Sequence, residues 1–513
     1  MNIMFSSHEN RQKWLYDRAD WEQTRKDLNA HEIINYFEKR DKDFPSEYLY
    51  KPCSSIEDAE YRLEIMREIC ENENLYNKLS GNISEFRQLR MLLRDYKEDK
   101  HDLQKSYRYL KLFCGYAELI TGLKLILENA DSQGLKKVYN YCESISLDNA
   151  FNSGREIADR LTGELSDILN NTGISINPQE KIFTLADCEE PGVTELLLAE
   201  IYEVYELNIK NYFSIVDPTP ISYLEDQVLL MLTEKNPELF EDLRIFYEDY
   251  INILDDIKAF AGLLPQLIFY INYIEFIKLF ESHGIKACRP EFDNIYQARG
   301  CASASLAVKF YYEELDINII VRNNIKLPAG GKFILSGPNQ GGKTIYLKQL
   351  GLTAYLAKCG CYVLCESCKL PFYDKIFTHF MQKEILGKSR LAEEIERIEA
   401  DIMTSITRDS LVLLNESFTS TRRKDSVKIC LHYLKKFDAA GCSVGFVSHF
   451  YELPEIYGDI ISLRSSISEN GERTYNIIEQ QGDGLAYALD ISRSCGTTYE
   501  QLSESLREYK TGV

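Results

Sequence analysis

Eight consecutive residues, Gly337-Pro338-Asn339-Gln340-Gly341-Gly342-Lys343-Thr344, stand between an apolar strand-like run, Lys332 to Ser336, and a helix-like run, Ile345 to Leu356. A strand, a glycine-rich turn and a helix in that order read as one step of an α/β sheet. The glycines let backbone N–H groups face an anion, and the helix aims the positive end of its dipole at the same point. Lys343 is placed to reach the β and γ oxygens of a triphosphate, and Thr344 to ligate magnesium. A glycine-rich turn can match GxxxxGK[ST] by chance, but the flanking runs supply the context that the chemistry needs. Two more apolar runs end in polar groups, Leu411-Val412-Leu413-Leu414-Asn415-Glu416 and Val444-Gly445-Phe446-Val447-Ser448-His449. Strands ending together in polar side chains at one sheet edge form a nucleotide site. The chain is therefore expected to bind a nucleoside triphosphate.

With 513 residues, 44% hydrophobic and 27% charged, the sequence can fill two to four domains. Met1 to Leu28 shows no basic-then-apolar signal, and the most apolar stretch, Ile257 to Phe280, is interrupted by Lys258, Pro265, Gln266, Asn272, Glu275 and Lys278. No membrane span and a cytoplasmic location are expected. Of 14 cysteines, Cys359, Cys361, Cys365 and Cys368 are dense enough to raise zinc, yet they lack two separated knuckles. Reduced thiols acting as small hydrophobes are expected, and no zinc.

The chain divides near residue 290. No proline occurs between Pro52 and Pro178, and Leu89, Leu92, Tyr96, Leu103, Leu110, Phe113, Leu119 and Leu123 recur at helical spacing, so the first half reads as long packed helices. Asn170-Asn171-Thr172-Gly173, then Ile174 to Asn177 and Lys181 to Leu185 around Pro178, predict a small β excursion before helices resume near Val193. After Pro218 and Pro220 the helical pattern returns from Tyr223 to Phe280.

A net charge of −21 repels a polyanion at long range. Screening over ~8 Å still lets a local basic face bind one. Arg87, Arg90, Arg94, Lys97, His101, Lys105, Arg108 and Lys111 recur every three or four residues. On one continuous helix they would make a stripe roughly 36 Å long. Such a stripe could contact nucleic-acid phosphates, or be a solvated face sharing its surface with Glu98, Asp99 and Asp102.

Four motifs in order carry a resemblance: Ser336 to Thr344, then Gly360-Cys361-Tyr362-Val363-Leu364-Cys365-Glu366-Ser367, then Leu411 to Glu416, then Ser448-His449-Phe450-Tyr451-Glu452-Leu453. Together they resemble the DNA mismatch repair MutS family, closely over about residues 318 to 460 and loosely before that. The resemblance implies a mixed fold: an N-terminal all-α core and lever region, then an α/β P-loop NTPase domain of the ABC/MutS type. It suggests a helical extension over 1–50, a core and lever with a reduced clamp over 51–290, and the ATPase domain over 291–513. Only about 50 residues precede the core-like segment, so no mismatch-recognition domain is expected. Phe246-Tyr247-Glu248 mimics that domain's wedge tripeptide but lies in a helical-period run.

By resemblance, Gly337, Pro338, Asn339, Gln340, Gly341, Gly342, Lys343 and Thr344 bind ATP, with Asn339 near the γ-phosphate. Glu416 orients or deprotonates the attacking water, and His449 senses the γ-phosphate. Ile320 and Val321 would meet adenine, isoleucine standing where an aromatic is common. Gly387-Lys388-Ser389-Arg390 with Glu394 resembles the signature loop in which Ser389 reaches the nucleotide of an opposing subunit, which implies a homodimer; Arg390 departs from the usual smaller residue. Thr344 and Asn415 would hold Mg2+. Asn415 replaces the family's metal-side aspartate and supplies no negative charge, so slow hydrolysis is expected. The resemblance implies a mismatch-repair-related ATPase whose nucleotide state moves helical arms on a DNA structure other than a simple mismatch. A nucleotide-gated protein scaffold without nucleic-acid binding and a pseudo-ATPase are the alternatives.

Overall fold

The computed structural model describes residues 2–99, 102–177, 182–187, 232–380, 390–468, 472–480 and 496–503. They pack as two units, Met1–Ile3 with Glu73–Leu267, and Met4–Asn72 with Ile268–Val513. In the first unit the proline-free stretch folds as helices Glu73–Glu98, Asp102–Ile126, Gln133–Ser146 and Asn149–Asn171. Helices Pro237–Tyr250 and Leu254–Ala261 complete this core. Its centre is aromatic: Phe113 lies 5.4 Å from Phe246 and 5.7 Å from Phe151, and Tyr116 lies 5.2 Å from Phe260. Phe246 is buried there, and the Tyr247 hydroxyl meets that of Tyr96 at 2.9 Å, so the wedge-like tripeptide is core packing. The expected β excursion is a hairpin, β1 (Thr172–Asn177) antiparallel to β2 (Ile182–Asp187) with Ile174 opposite Leu185. The helices expected to resume near Val193 fall outside the described residues.

The basic stripe requires a correction. The helix ends at Glu98 and a new one starts at Asp102, folded back antiparallel: the backbone at Gly115 lies against Leu89, and Arg108 reaches the acids near the first helix's end. Arg108 Nε lies 3.1 Å from Asp99 Oδ2, and Arg94 Nη2 lies 3.2 Å from Asp95 Oδ1. Arg87, Arg90, Arg94 and Lys97 stay exposed on the first helix, whereas Lys105 and Arg108 are half-buried on the second. No single 36 Å line exists because the chain reverses, and carboxylates take up part of the charge.

In the second unit the helices His8–Tyr16, Glu22–Asp27, Ala30–Arg40, Glu47–Tyr50 and Ile56–Glu71 pack with the sheet domain, where a separate extension over 1–50 and the start of the helical core after residue 51 are expected. The reason is Arg62, a fully buried guanidinium. Its Nε donates to the Met4 carbonyl (2.9 Å) and its Nη1 to the Cys359 carbonyl (3.0 Å), while its face lies 5.2 Å from the Phe5 ring and 5.1 Å from Tyr48. The Tyr355 hydroxyl donates to Leu49 O (2.6 Å) and the Thr24 hydroxyl to Ile376 O (2.8 Å). Chain entry is thereby tied to the far end of the helix that follows the glycine-rich loop.

Strands β3 (Glu291–Phe292), β4 (Ile295–Cys301), β5 (Asn323–Pro328) and β7 (Ser367–Leu370) make a four-stranded sheet in the order β3-β7-β4-β5. A second sheet runs β12-β11-β6-β10-β9-β8, from β6 (Lys332–Ser336), β8 (Lys375–Phe380), β9 (Ser410–Asn415), β10 (Ser443–Val447), β11 (Ile461–Ile467) and β12 (Arg473–Glu479). All its neighbours are parallel except β12, which returns antiparallel on β11. Helix Lys343–Lys358 covers one face, where Gly351 lies against Leu413 and Gly445 against Leu347. Helix Arg423–Ala440 covers the other, with Tyr433, Leu434 and Phe437 packed on Ile334, Val412, Leu414, Val444 and Phe446. Two-sided cover is why these strands read as continuous apolar runs. The helical run Pro237–Ser282 is long and apolar enough to cross a membrane, but 83% of its apolar window is buried inside the protein, as in a core helix.

Arg62→Met removes both charged hydrogen bonds and leaves two buried carbonyls without them. It is expected to cost about 3 kcal/mol in urea unfolding, with Arg62→Lys intermediate. A change below about 1 kcal/mol for the methionine variant would show that the tether carries little.

Candidate active site

At the end of β6 the chain enters the glycine-rich loop. Gly337 has φ 131°, and a Cβ there would lie 3.0 Å from Ser465 Cβ and 3.1 Å from Ser465 N. The loop therefore packs directly on β11, which a larger residue would forbid. The Ser465 hydroxyl donates to Gly341 O, and Arg473 Nη1 on β12 donates to Gln340 Oε1 at 2.8 Å. The β11–β12 hairpin thus braces the loop. Gly342, with φ 86°, ends it at the N-terminus of helix Lys343–Lys358.

Lys343 is 4% exposed. Its ammonium donates to Gly337 O (3.0 Å) and Pro338 O (2.8 Å), so carbonyl dipoles stand in for water. Burial pushes its pKa below the usual lysine value; the Glu416 carboxylate opposes this, and Arg473 adds to it. The Thr344 hydroxyl donates to Asn415 Oδ1 at 3.0 Å. Beyond Asn415, Glu416 Oε1 lies 3.2 Å from His449 Nε2. That hydrogen bond, followed by the charges of His449 and Lys343 against the effect of burial, holds the Glu416 carboxyl below its ordinary range. Parallel pairing aligns these groups: Asn415 is opposite Val447, Glu416 N–H donates to Val447 O (2.9 Å), and Ser448 N–H donates to Leu335 O (3.1 Å).

The expected site residues from Gly337 to Thr344, with Asn415, Glu416 and His449, meet at one sheet edge, Asn339 and Gln340 being exposed. Ile320 is 5% exposed and Val321 half-buried, just before β5. The first residue of β5, Asn323, donates to Tyr475 O (3.1 Å) and accepts from Ile477 N (2.8 Å). Ser389 lies outside the described residues. Glu394 is buried and accepts from Phe418 N–H at 2.7 Å. Sequence reasoning missed Ser465 and Arg473, which no spacing links to the loop. It also missed His379, whose Nδ1 is 2.9 Å from Ser417 Oγ. Strand β8 ends in a polar group beside the other strands, so the same rule extended to Lys375–Phe380 would have found it.

The Cys359, Cys361, Cys365 and Cys368 thiols are free and buried, and among the described residues no cluster of metal-ligating side chains forms. Burial pushes the Cys361 thiol well above its usual range.

Fold and site together define an α/β domain in which a glycine-rich loop, a hydroxyl–amide pair and a carboxylate–imidazole pair converge at the carboxyl ends of parallel strands. Residues 333–486 match the family model described as MutS domain V. A DNA mismatch repair protein MutS from Petrotoga mobilis is 24% identical over 499 residues, covering 90% of this chain and 59% of its own length. MutS proteins from Fusobacterium nucleatum (27% over 274 residues; 50% of this chain, 30% of theirs) and Thermotoga petrophila (29% over 184 residues; 34% and 23%) are also similar. Over residues 333–486 the chain carries a domain that matches MutS domain V, and the chain spans about three fifths or less of the length of these relatives.

Because folding lowers the Lys343 pKa, the folded state binds fewer protons than the unfolded state below the free lysine value of about 10.4. Stability without nucleotide should therefore rise with pH through the window between the lowered value and 10.4. Lys343→Met should lack that rise; parallel stability curves for the two proteins would show that the ammonium is not strained by burial.

Proposed function

We propose that this chain is an ATP-binding, slowly hydrolysing MutS-like ATPase that works as a homodimer in the cytoplasm. The observation that carries this is the Glu416–His449 pair, 3.2 Å apart, beside a loop that holds a buried lysine. Phosphoryl transfer to water needs positioning and charge stabilisation more than covalent help. Lys343 would exchange two carbonyl partners for phosphate oxygens. Glu416, kept ionised at neutral pH, would orient or deprotonate the attacking water, and His449 would hold Glu416 and answer to the γ-phosphate. The Thr344 hydroxyl and Asn415 amide are the oxygens that would hold magnesium, whose charge, when bound, neutralises phosphate. A neutral amide holds a cation less firmly than a carboxylate, so turnover is slow. Ser389 would complete the site of the opposing subunit, and Ile320 and Val321 would border the adenine.

Nucleotide binding would shift the helical unit between states of different affinity for a partner. The exposed Arg87, Arg90, Arg94 and Lys97 suit phosphate contacts on structured DNA. A protein-binding scaffold is the second reading, favoured by the net charge of −21 and the Arg108–Asp99 pairing that removes part of the stripe.

Calorimetry should detect ATP uptake by the wild type and by Glu416→Gln alike, while the variant's single-turnover hydrolysis falls about 100-fold. Equal rates would mark a pseudoenzyme. Titrating branched, duplex and single-stranded DNA at two salt concentrations should show binding to the branched form that weakens with salt; absence of binding at low salt leaves the scaffold.

A further inference from the structure

The turn that carries Glu416 is unusually constrained. Glu416 (φ 54°) and Phe418 (φ 63°) both sit in the left-handed region, which is strained for a non-glycine residue and persists where surroundings enforce it. Three separate elements enforce it here. From β10, Val447 O accepts the Glu416 N–H at 2.9 Å. From the end of β8, His379 Nδ1 meets Ser417 Oγ at 2.9 Å. From helix Arg390–Arg397, Glu394 Oε2 accepts the Phe418 N–H at 2.7 Å. His379, Ser417 and Glu394 are 3%, 2% and 8% exposed, so water does not compete for these bonds. The Thr419 hydroxyl closes the turn on Glu416 O at 3.1 Å. His379 Nε2 has no partner among the described residues, and burial, then the charge of Arg397, pushes the ring's pKa down to about 4. The imidazole is neutral, and its polar contact in the described structure is with the turn.

We propose that His379 and Glu394 are positioning residues for hydrolysis: by fixing Ser417 and the Phe418 amide they hold the Glu416 backbone in the left-handed form that directs its carboxylate to His449. This rests on Glu416 acting on the attacking water. Among the described residues, the hydrogen bonds of His379 and Glu394 go to the turn and not to the glycine-rich loop, so their loss should act on hydrolysis more than on ATP affinity. Loss of either bond lets the turn relax, and a misplacement of about 1 Å is enough to slow a positioned step by one to two orders of magnitude.

The test uses the full chain, with ATP affinity from calorimetry and hydrolysis from single turnovers. His379→Leu, Glu394→Leu and Ser417→Ala are expected to hydrolyse at least about tenfold more slowly, with ATP dissociation constants within about twofold of wild type. His379→Asn and Glu394→Gln keep a polar atom near the original one and should retain most of the rate. Ser417→Ala, a small change, carries the test if a leucine variant fails to fold. Wild-type rates in Ser417→Ala and the leucine variants overturn the proposal. So does a parallel fall of rate and affinity that the conservative variants share. If wild type itself is no faster than Glu416→Gln, the assignment of Glu416 falls first and the positioning role with it.

Discussion

A lysine ammonium buried at the wrong end of a helix organises this site. Lys343 opens helix Lys343–Lys358, where the helix dipole is positive, and among the described residues its hydrogen bonds go to two carbonyls of its own loop. Burial and the dipole both work against the charge, and the Glu416 carboxylate answers them in part. An arriving anion would be favoured by ammonium, dipole and loop amides together. Holding such a group in place requires support from elsewhere. The β11–β12 hairpin supplies it at the loop through Ser465 and Arg473, and Arg62 supplies it at the opposite end through the Cys359 carbonyl. That opposite end also holds Lys358, buried with its pKa down to about 8 and its ammonium 3.9 Å from the Phe372 ring; there the dipole favours the cation.

The sheet edge where the glycine-rich loop, Asn415, Glu416 and His449 meet was legible in the sequence because its signals are local. Lys332 to Thr344 encodes strand, turn and helix within one stretch, and β9 and β10 announce themselves as apolar runs ending at Asn415 and Ser448. What the sequence concealed is what depends on distant pairings. Nothing near Arg62 signals that its guanidinium will bridge carbonyls at residues 4 and 359, so the amino-terminal helices were expected apart from the sheet domain. Nothing near residue 473 signals a contact with Gln340. The basic stripe failed for a related reason: periodicity gives a face only while the helix continues, and the helix that ends at Glu98 is followed by an antiparallel one from Asp102.

The reversal changes what the helical unit can offer a polyanion. Four exposed cations, Arg87, Arg90, Arg94 and Lys97, occupy about ten residues of helix, roughly 15 Å, which matches a few phosphates and not a long tract. Against a net charge of −21 such a patch can act on a polyanion only at close range, where the distant acidic field is screened over about 8 Å.

Asn415 then takes on a definite meaning. The amide accepts the Thr344 hydroxyl at 3.0 Å, so under the proposed function the position that would face magnesium keeps an oxygen and lacks the charge of an acid. Glu416 lies next in the chain, already ionised through His449, and a second carboxylate beside it would raise the proton affinity of both. Removing that neighbour leaves Glu416 a readily ionised single acid, at the expense of metal affinity. On the proposed function, that balance would favour a protein that retains triphosphate for long periods and hydrolyses it rarely.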